Sequence, residues 1–371
     1  VSWDHLRDSW KLGAKAGYIH TWMAYDYKRD LGNGVMAHMT RSRSLINTIY
    51  SQLDGEYYIG EKWLFTANVG AHQHFVVSRD KNIILQQGGT GIVGYDKARI
   101  ELSGVVSAKY RPVERFGVAV TLREEMFGEE FTPIIPALFL DGVLSKRGNI
   151  ILKASVSRNY RFPTLNDRYF LPGGNPDLRP EKGFTYDAEL SFKVGKAERY
   201  ALSGSVAWFD SYIDDWIQWL PTTKGFFSPR NVKRVHSYGV NIKGALDVVL
   251  AKDWRLALDG TFGWCPSVNV GEKLSAADQS VGKQLPYVPL LTSNVVGRLS
   301  YRRWALIYKW CYYSTRYTMS SNDISLTGKL PPYFMNNLEL EKQFSFSWAD
   351  LSLKGIINNL FNEEYISLLS H

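Results

Sequence analysis

Apolar and polar residues alternate along most of this chain, and links of two lengths cut the alternation into segments. In the stretch Arg99–Tyr110 one face carries Ile100, Leu102, Gly104, Val106, Ala108 and Tyr110, and the other carries Arg99, Glu101, Ser103, Val105, Ser107 and Lys109. In Phe184–Val194 one face carries Phe184, Tyr186, Ala188, Leu190, Phe192 and Val194, against Thr185, Asp187, Glu189, Ser191 and Lys193. Successive strand side chains point to opposite faces, so each segment predicts a strand with one apolar face. The links Arg111–Arg115, Ser145–Asn149, Gly195–Glu198 and Ala251–Asp253 are tight; Arg79–Asp96, Arg161–Gly183, Asp210–Arg230 and Ser267–Leu285 are long. Short turns at one end and long loops at the other are the habit of a barrel in an outer membrane. The pattern predicts an all-β chain, a transmembrane antiparallel β-barrel with its apolar faces toward lipid. A Lys or Arg facing lipid at the midplane costs roughly 2–4 kcal/mol, which assigns the charged faces to the lumen.

The same reading predicts about fifteen strands, near 9–27, 42–58, 62–78, 95–111, 115–128, 131–144, 148–160, 182–195, 198–212, 231–250, 253–266, 288–301, 303–318, 331–344 and 349–358. The first is expected to run outward into a long link. Bacterial single-chain barrels have even strand numbers, so an odd count implies an incomplete barrel.

Composition changes little in this picture. No run approaches the ~20 apolar residues of a spanning helix. The chain has 371 residues, with 12 Trp and 22 Tyr. Trp10, Trp22, Tyr110, Phe116, Trp254 and Trp304 sit at segment ends, where interfacial girdles place aromatics. The net charge of +8 is scattered along the chain, as lumen walls and headgroup contacts require, so nucleic acid is not an expected partner. The two cysteines, Cys265 and Cys311, are read as isolated lumen-facing thiols.

Five stretches, in order, resemble the TonB-dependent outer-membrane receptors. They are Arg161-Phe-Pro-Thr-Leu-Asn-Asp167 with Gly174-Asn-Pro-Asp-Leu-Arg-Pro-Glu181, Ser211-Tyr-Ile-Asp-Asp-Trp-Ile217, Asn231-Val-Lys-Arg-Val235 with Gly239, Leu285-Pro-Tyr-Val-Pro289, and Ile357-Asn-Asn-Leu-Phe-Asn362 with Tyr365. Asn241 departs from the family, which often has Glu there. The resemblance implies the 22-stranded barrel type, plugged by an N-terminal domain. On that frame residues 1–371 are a partial barrel domain, with the plug, the TonB-contacting box and about six strands expected before Val1 and the closing strand after His371.

The resemblance also implies energy-coupled import of a scarce, large ligand through the TonB complex, with no catalytic residue. Cobalamin is the expected ligand, as in cobalamin-type receptors of Gram-negative gut bacteria (Bacteroidetes type), with a surface lipoprotein as a further expected partner. A ferric siderophore or haem is the alternative, and a passive porin-like barrel the alternative of another class. Outer-membrane lipid is the expected surroundings. No cofactor is expected; calcium, where the family uses it, belongs to loops after early strands that this chain does not contain.

The ligand mouth is expected among Arg161, Asn166, Asp167, Tyr169, Phe170, Asn175 and Asp177 of one long loop, and Trp216, Trp219, Phe226, Phe227 and Arg230 of another. Gly, Pro, Asn and Asp make the first a turn-rich loop, and the aromatics of the second can meet a flat apolar face. His72 and His74 share a lumen face and would need a third ligand to hold a metal. An outer-wall hydrolase would need an outward His beside a Ser, and no such pair is legible.

Overall fold

A computed structural model describes every residue except 31, 33, 81–92, 172, 197, 223–225, 274, 275, 277, 326, 327 and 367–371. The chain divides into two compact units. One contains Val1–Phe139, Ser157–Phe184 and Ile213–Val232; the other contains Leu140–Val156, Thr185–Tyr212 and Lys233–His371.

The strands are, in order, β1 Ser2–Leu6, β2 Trp10–Asp30, β3 Met36–Ile59, β4 Trp63–Asp80, β5 Val93–Val113, β6 Phe116–Phe127, β7 Glu130–Phe131, β8 Ile135–Val143 and β9 Ile150–Arg161. A short helix, α1 Leu165–Tyr169, precedes β10 Glu181–Lys196, β11 Tyr200–Pro221, β12 Phe227–Ala251, β13 Trp254–Trp264, β14 Ser267–Asn269 and β15 Leu291–Tyr301. The chain continues through β16 Trp304–Tyr313, β17 Arg316–Tyr317, β18 Lys329–Leu330, β19 Tyr333–Ser345 and β20 Asp350–Ile357.

Within the first unit β1 to β7 form a continuous antiparallel ladder. Within the second, β12–β13–β15–β16–β19–β20 form another. Each expected strand is present, and the fold is all-β and antiparallel. Two corrections concern length and number. β1 pairs with β2 ahead of the expected first strand, with Ser2 opposite Lys15. The four strands β2, β3, β11 and β12 also run well past their expected outer ends. Pairing of β2 with β3 continues to Asp30 opposite Met36, so the long link expected there is a tight one. At ~3.3 Å per residue a strand of this length spans about 70 Å, far more than the ~25 Å apolar band of a barrel. The outer part stands in water, where neither face needs to be apolar, so alternation no longer marks the strand. Lys224, expected in an external link, lies outside the described residues.

The predicted faces are the observed ones. On β10, Phe184, Tyr186, Leu190, Phe192 and Val194 are exposed, as are Trp63, Phe65 and Val69 on β4. Register aligns Ala67, Val106 and Leu122 across β4, β5 and β6, and with Leu12, Tyr57 and Phe65 they line an apolar groove on this outer surface. The opposite face of the first unit is polar. Here Thr48, His74 and Arg99 form one cross-strand row, and Tyr50, His72, Glu101 and Phe127 the next.

Candidate functional site

The loop after β9 is tied at both ends by one network. Thr164 caps α1: its Oγ1 accepts the Asp167 N–H, and the Asp167 Oδ2 accepts the Thr164 N–H, each at 3.0 Å. The Asp167 Oδ1 accepts the Trp219 indole N–H at 2.9 Å. Arg161 closes the loop by donating Nε and Nη2 to the Glu181 carboxylate at 2.8 and 2.5 Å, with Nη1 3.7 Å from Asp167. Glu181 also accepts the Ile217 N–H at 2.7 Å. Both carboxylates are buried, each 6% exposed. Such groups are tolerated away from water because every oxygen has a donor. At this outer end of β9 the Glu181 hydrogen bond lifts the Arg161 guanidinium above its ordinary value.

The Asn-Pro-Asp segment is stapled in the same way. Asn175 N–H donates to the Asp167 carbonyl at 2.8 Å, its Nδ2 donates to Pro229 O at 3.2 Å, and its Oδ1 accepts the Asp177 N–H at 3.1 Å. Gly173 has φ 125°, and a Cβ there would meet the Phe227 carbonyl, so this position requires glycine. Arg179 and Asn231 exchange a pair of hydrogen bonds at 2.9 Å, and Arg179 reaches the Asp215 carboxylate at 2.5 Å. Asp215 has φ 57°, so Asp214 and Asp215 sit at an irregularity within β11.

Of the expected mouth residues, the structure therefore joins Arg161, Asp167, Asn175 and Trp219 directly, with Phe170 edge-on to Trp219 at 5.9 Å. Tyr169 faces Tyr95 at 6.2 Å. Asn166, Asp177 and Arg230 are exposed, and Trp216, Phe226 and Phe227 half-buried. The second group does not form the expected long loop. Trp216 and Trp219 belong to β11, Phe227 and Arg230 to β12, and only Phe226 lies in the link.

Sequence reasoning missed a row of cations beside this loop. Lys97 Nζ sits 4.9 Å from the centre of the Tyr169 ring, and Arg168 lies 5.7 Å from both Tyr169 and Phe162. Arg99 lies over Phe127 and Phe162 and donates to Pro163 O at 2.9 Å. Alternation put Arg99 on the lumen face, but nothing local linked it or Lys97 to a loop far onward in the chain.

His72 and His74 stack at 6.0 Å; His74 contacts Thr48 at 2.9 Å and Glu101 at 3.6 Å. Among the described residues no group of three or more His, Cys, Asp or Glu could hold a metal. Cys265 and Cys311 are free thiols. His236 belongs to an acid–base pair the sequence did not disclose: it lies 3.2 Å from Asp210 and stacks on Tyr212. The neighbouring Ser237 bonds Ser267 instead.

Comparison with known proteins agrees with this architecture. The vitamin B12 transporter BtuB of Photobacterium profundum is 27% identical over 229 residues, covering 59% of this chain and 33% of that protein. BtuB of Vibrio vulnificus is 27% identical over 109 residues, covering 28% of this chain and 17% of that protein. The chain thus spans at most about a third of the curated relatives it matches. The siderophore receptor PiuA from Acinetobacter baumannii superposes with TM-score 0.72 at 14% identity, over 99% of this chain and 60% of that one. The copper transporter OprC gives 0.71 at 14%, over 97% and 60%. The unliganded ferric citrate transporter FecA gives 0.67 at 13%, over 98% and 56%. These structures share the fold. The family model for TonB dependent receptor-like β-barrels matches residues 1–360, a family of outer-membrane transporters rather than enzymes, and this chain belongs to it.

Proposed function

We propose that this barrel is the wall of a TonB-coupled importer, and that its ligand is cobalamin. The observation that carries the reading is the sequence match to two vitamin B12 transporters, since the siderophore and metal receptors resemble this chain in fold alone. The loop chemistry is compatible with a corrinoid. Phe170 and Trp219 offer aromatic surface, and Asn166, Asp177 and Arg230 are exposed polar groups for the amide rim. In this reading the TonB complex supplies the work that releases the ligand. A surface lipoprotein partner and a Bacteroidetes-type setting belong to the same proposal and have the motif resemblance behind them.

A ferric siderophore or haem is the second reading. The cations Lys97 and Arg168 beside the loop favour it, because positive charge suits an anionic iron complex, although the neighbouring Arg99 is paired with Glu101. Growth separates the two. A strain lacking its own cobalamin receptors, given the complete receptor, should grow on limiting cobalamin. No growth, together with tight binding of a ferric siderophore or haem, would transfer the assignment to the second reading.

Orientation is testable on the same cells. Glu114, Lys146 and Lys196 lie at or beside tight links and should face the periplasm, and Asn175 should face outward. Single cysteines at these positions, probed with an impermeant thiol reagent, should label at 175 and stay protected at 146. The reverse result would invert the topology.

A further inference from the structure

The second unit holds a buried cation that meets no anion among the described residues. Arg316, in β17, is 6% exposed. Its Nη2 donates to the Ile366 carbonyl at 3.1 Å, and its Cζ lies 5.0 Å from the centre of the Tyr333 ring. Its Nε is buried and has no acceptor. Among the described residues no carboxylate pairs with it, although cations elsewhere in this unit are matched. Arg298 meets Glu341 at 3.1 Å, and Lys309 and Lys354 meet Glu339 at 3.0 and 3.6 Å. Taking a guanidinium out of water is unfavourable unless a counter-charge compensates.

The surroundings say where such a counter-charge would come from. Tyr313 and Tyr333 are cross-strand partners on the face opposite the exposed Tyr308, Phe334 and Leu340. Arg316, over Tyr333, is therefore on the side away from lipid, beyond the outer end of β16. Tyr287 is tied to the next residue of β17, its N–H donating to the Tyr317 carbonyl at 2.7 Å. Tyr287 has φ 62°, a left-handed conformation that an aromatic residue keeps only where its surroundings impose it. Its hydroxyl is buried and has no partner, and burial pushes it above the ordinary phenol range, so it remains a proton donor.

We infer that Arg316 is the centre of an oxyanion subsite, taking a phosphate or carboxylate group, with the unpartnered hydroxyl of Tyr287, which is bonded through its backbone to the neighbouring Tyr317, as its second donor. A guanidinium edge matches the spacing of such oxygens. The inference is independent of which ligand the importer carries, since the oxyanion is either a free ion or part of the imported molecule.

The test uses the complete receptor in detergent, titrated with inorganic phosphate and with citrate, read by melting temperature and calorimetry. Wild type should melt higher with either anion, saturably. Arg316→Met keeps most of the volume and removes the unpaired charge, so it should melt higher than wild type without anion and lose the anion-dependent rise. Tyr287→Phe should bind phosphate several-fold more weakly. Competition between phosphate and cyanocobalamin would assign the oxyanion to the ligand; phosphate binding without competition would assign it to a free ion. The inference is overturned if wild type shows no anion-dependent rise, or if Arg316→Met melts lower and keeps it. Should that variant not fold, unchanged phosphate affinity in Tyr287→Phe overturns it. Loss of cobalamin uptake with phosphate binding retained would count against the proposed ligand and leave the subsite standing.

Discussion

Val106→Lys should destabilise the folded barrel by about 2–4 kcal/mol, the cost of a lysine at the lipid midplane. Val106 is exposed and flanked across the ladder by Ala67 and Leu122, with no polar side chain among these neighbours. It lies four residues from Tyr110 on the same strand, two positions along the apolar face, and Tyr110 stacks on Trp63 at 4.2 Å and marks one interface. Since ~9–11 residues cross the apolar band, this position falls near its middle. Its neighbour Ser107 faces the other way, and Val106→Leu keeps the lipid contact. The midpoint of heat-induced conversion from folded to unfolded mobility on a gel measures the effect. A large drop for Val106→Lys with little change for Val106→Leu is expected. Equal tolerance of both, with Ser107→Lys instead poorly folded, would mean the lipid and lumen faces are exchanged.

Glu181→Ala should be the most damaging single change in the loop network. It removes the fork on Arg161 and leaves the Ile217 N–H without its acceptor. Breaking a fully buried pair costs roughly 3–5 kcal/mol; because the Arg161 side chain is 46% exposed, a smaller loss of about 2–3 kcal/mol is expected. Asp177→Ala, by contrast, changes an exposed side chain whose backbone makes the turn, and should stay within ~0.5 kcal/mol. Denaturant midpoints of the two variants in detergent decide this. Because the network also positions Asp167 and Trp219, Glu181→Ala should weaken ligand binding as well as stability. A variant with wild-type stability would show that the loop is held by its glycine and proline turns rather than by the carboxylate.

The sheet also explains why so much polarity is buried in so exposed a chain. Among the described residues buried apolar side chains are few; Phe162, Leu178, Leu285 and Leu330 lie in or beside the links, and Val76, Ala305 and Ile307 on wall strands. Elsewhere the apolar face is turned outward to lipid, and polar rows such as Thr48–His74–Arg99 cover the other side.

The order of the main strands, which face of each is apolar, and tight turns such as Arg111–Arg115 and Ala251–Asp253 were legible in the sequence. These are local properties, and lipid enforces them residue by residue, because one misplaced charge costs several kcal/mol. The family was legible too, from short motifs such as Gly174–Glu181 whose turns are set by their own glycine and prolines. What the tertiary structure alone decided lies beyond the lipid band. There water accepts either face, so alternation fades, and whether β11 and β12 continue as strands depends on a partner strand's hydrogen bonds. The meeting of Asp167 with Trp219, 52 residues apart, and of Lys97 with Tyr169 follows from where two paired strands deliver a loop. That Arg316 is buried with no carboxylate beside it among the described residues is likewise invisible in sequence, where an arginine looks the same whether a carboxylate waits for it or not.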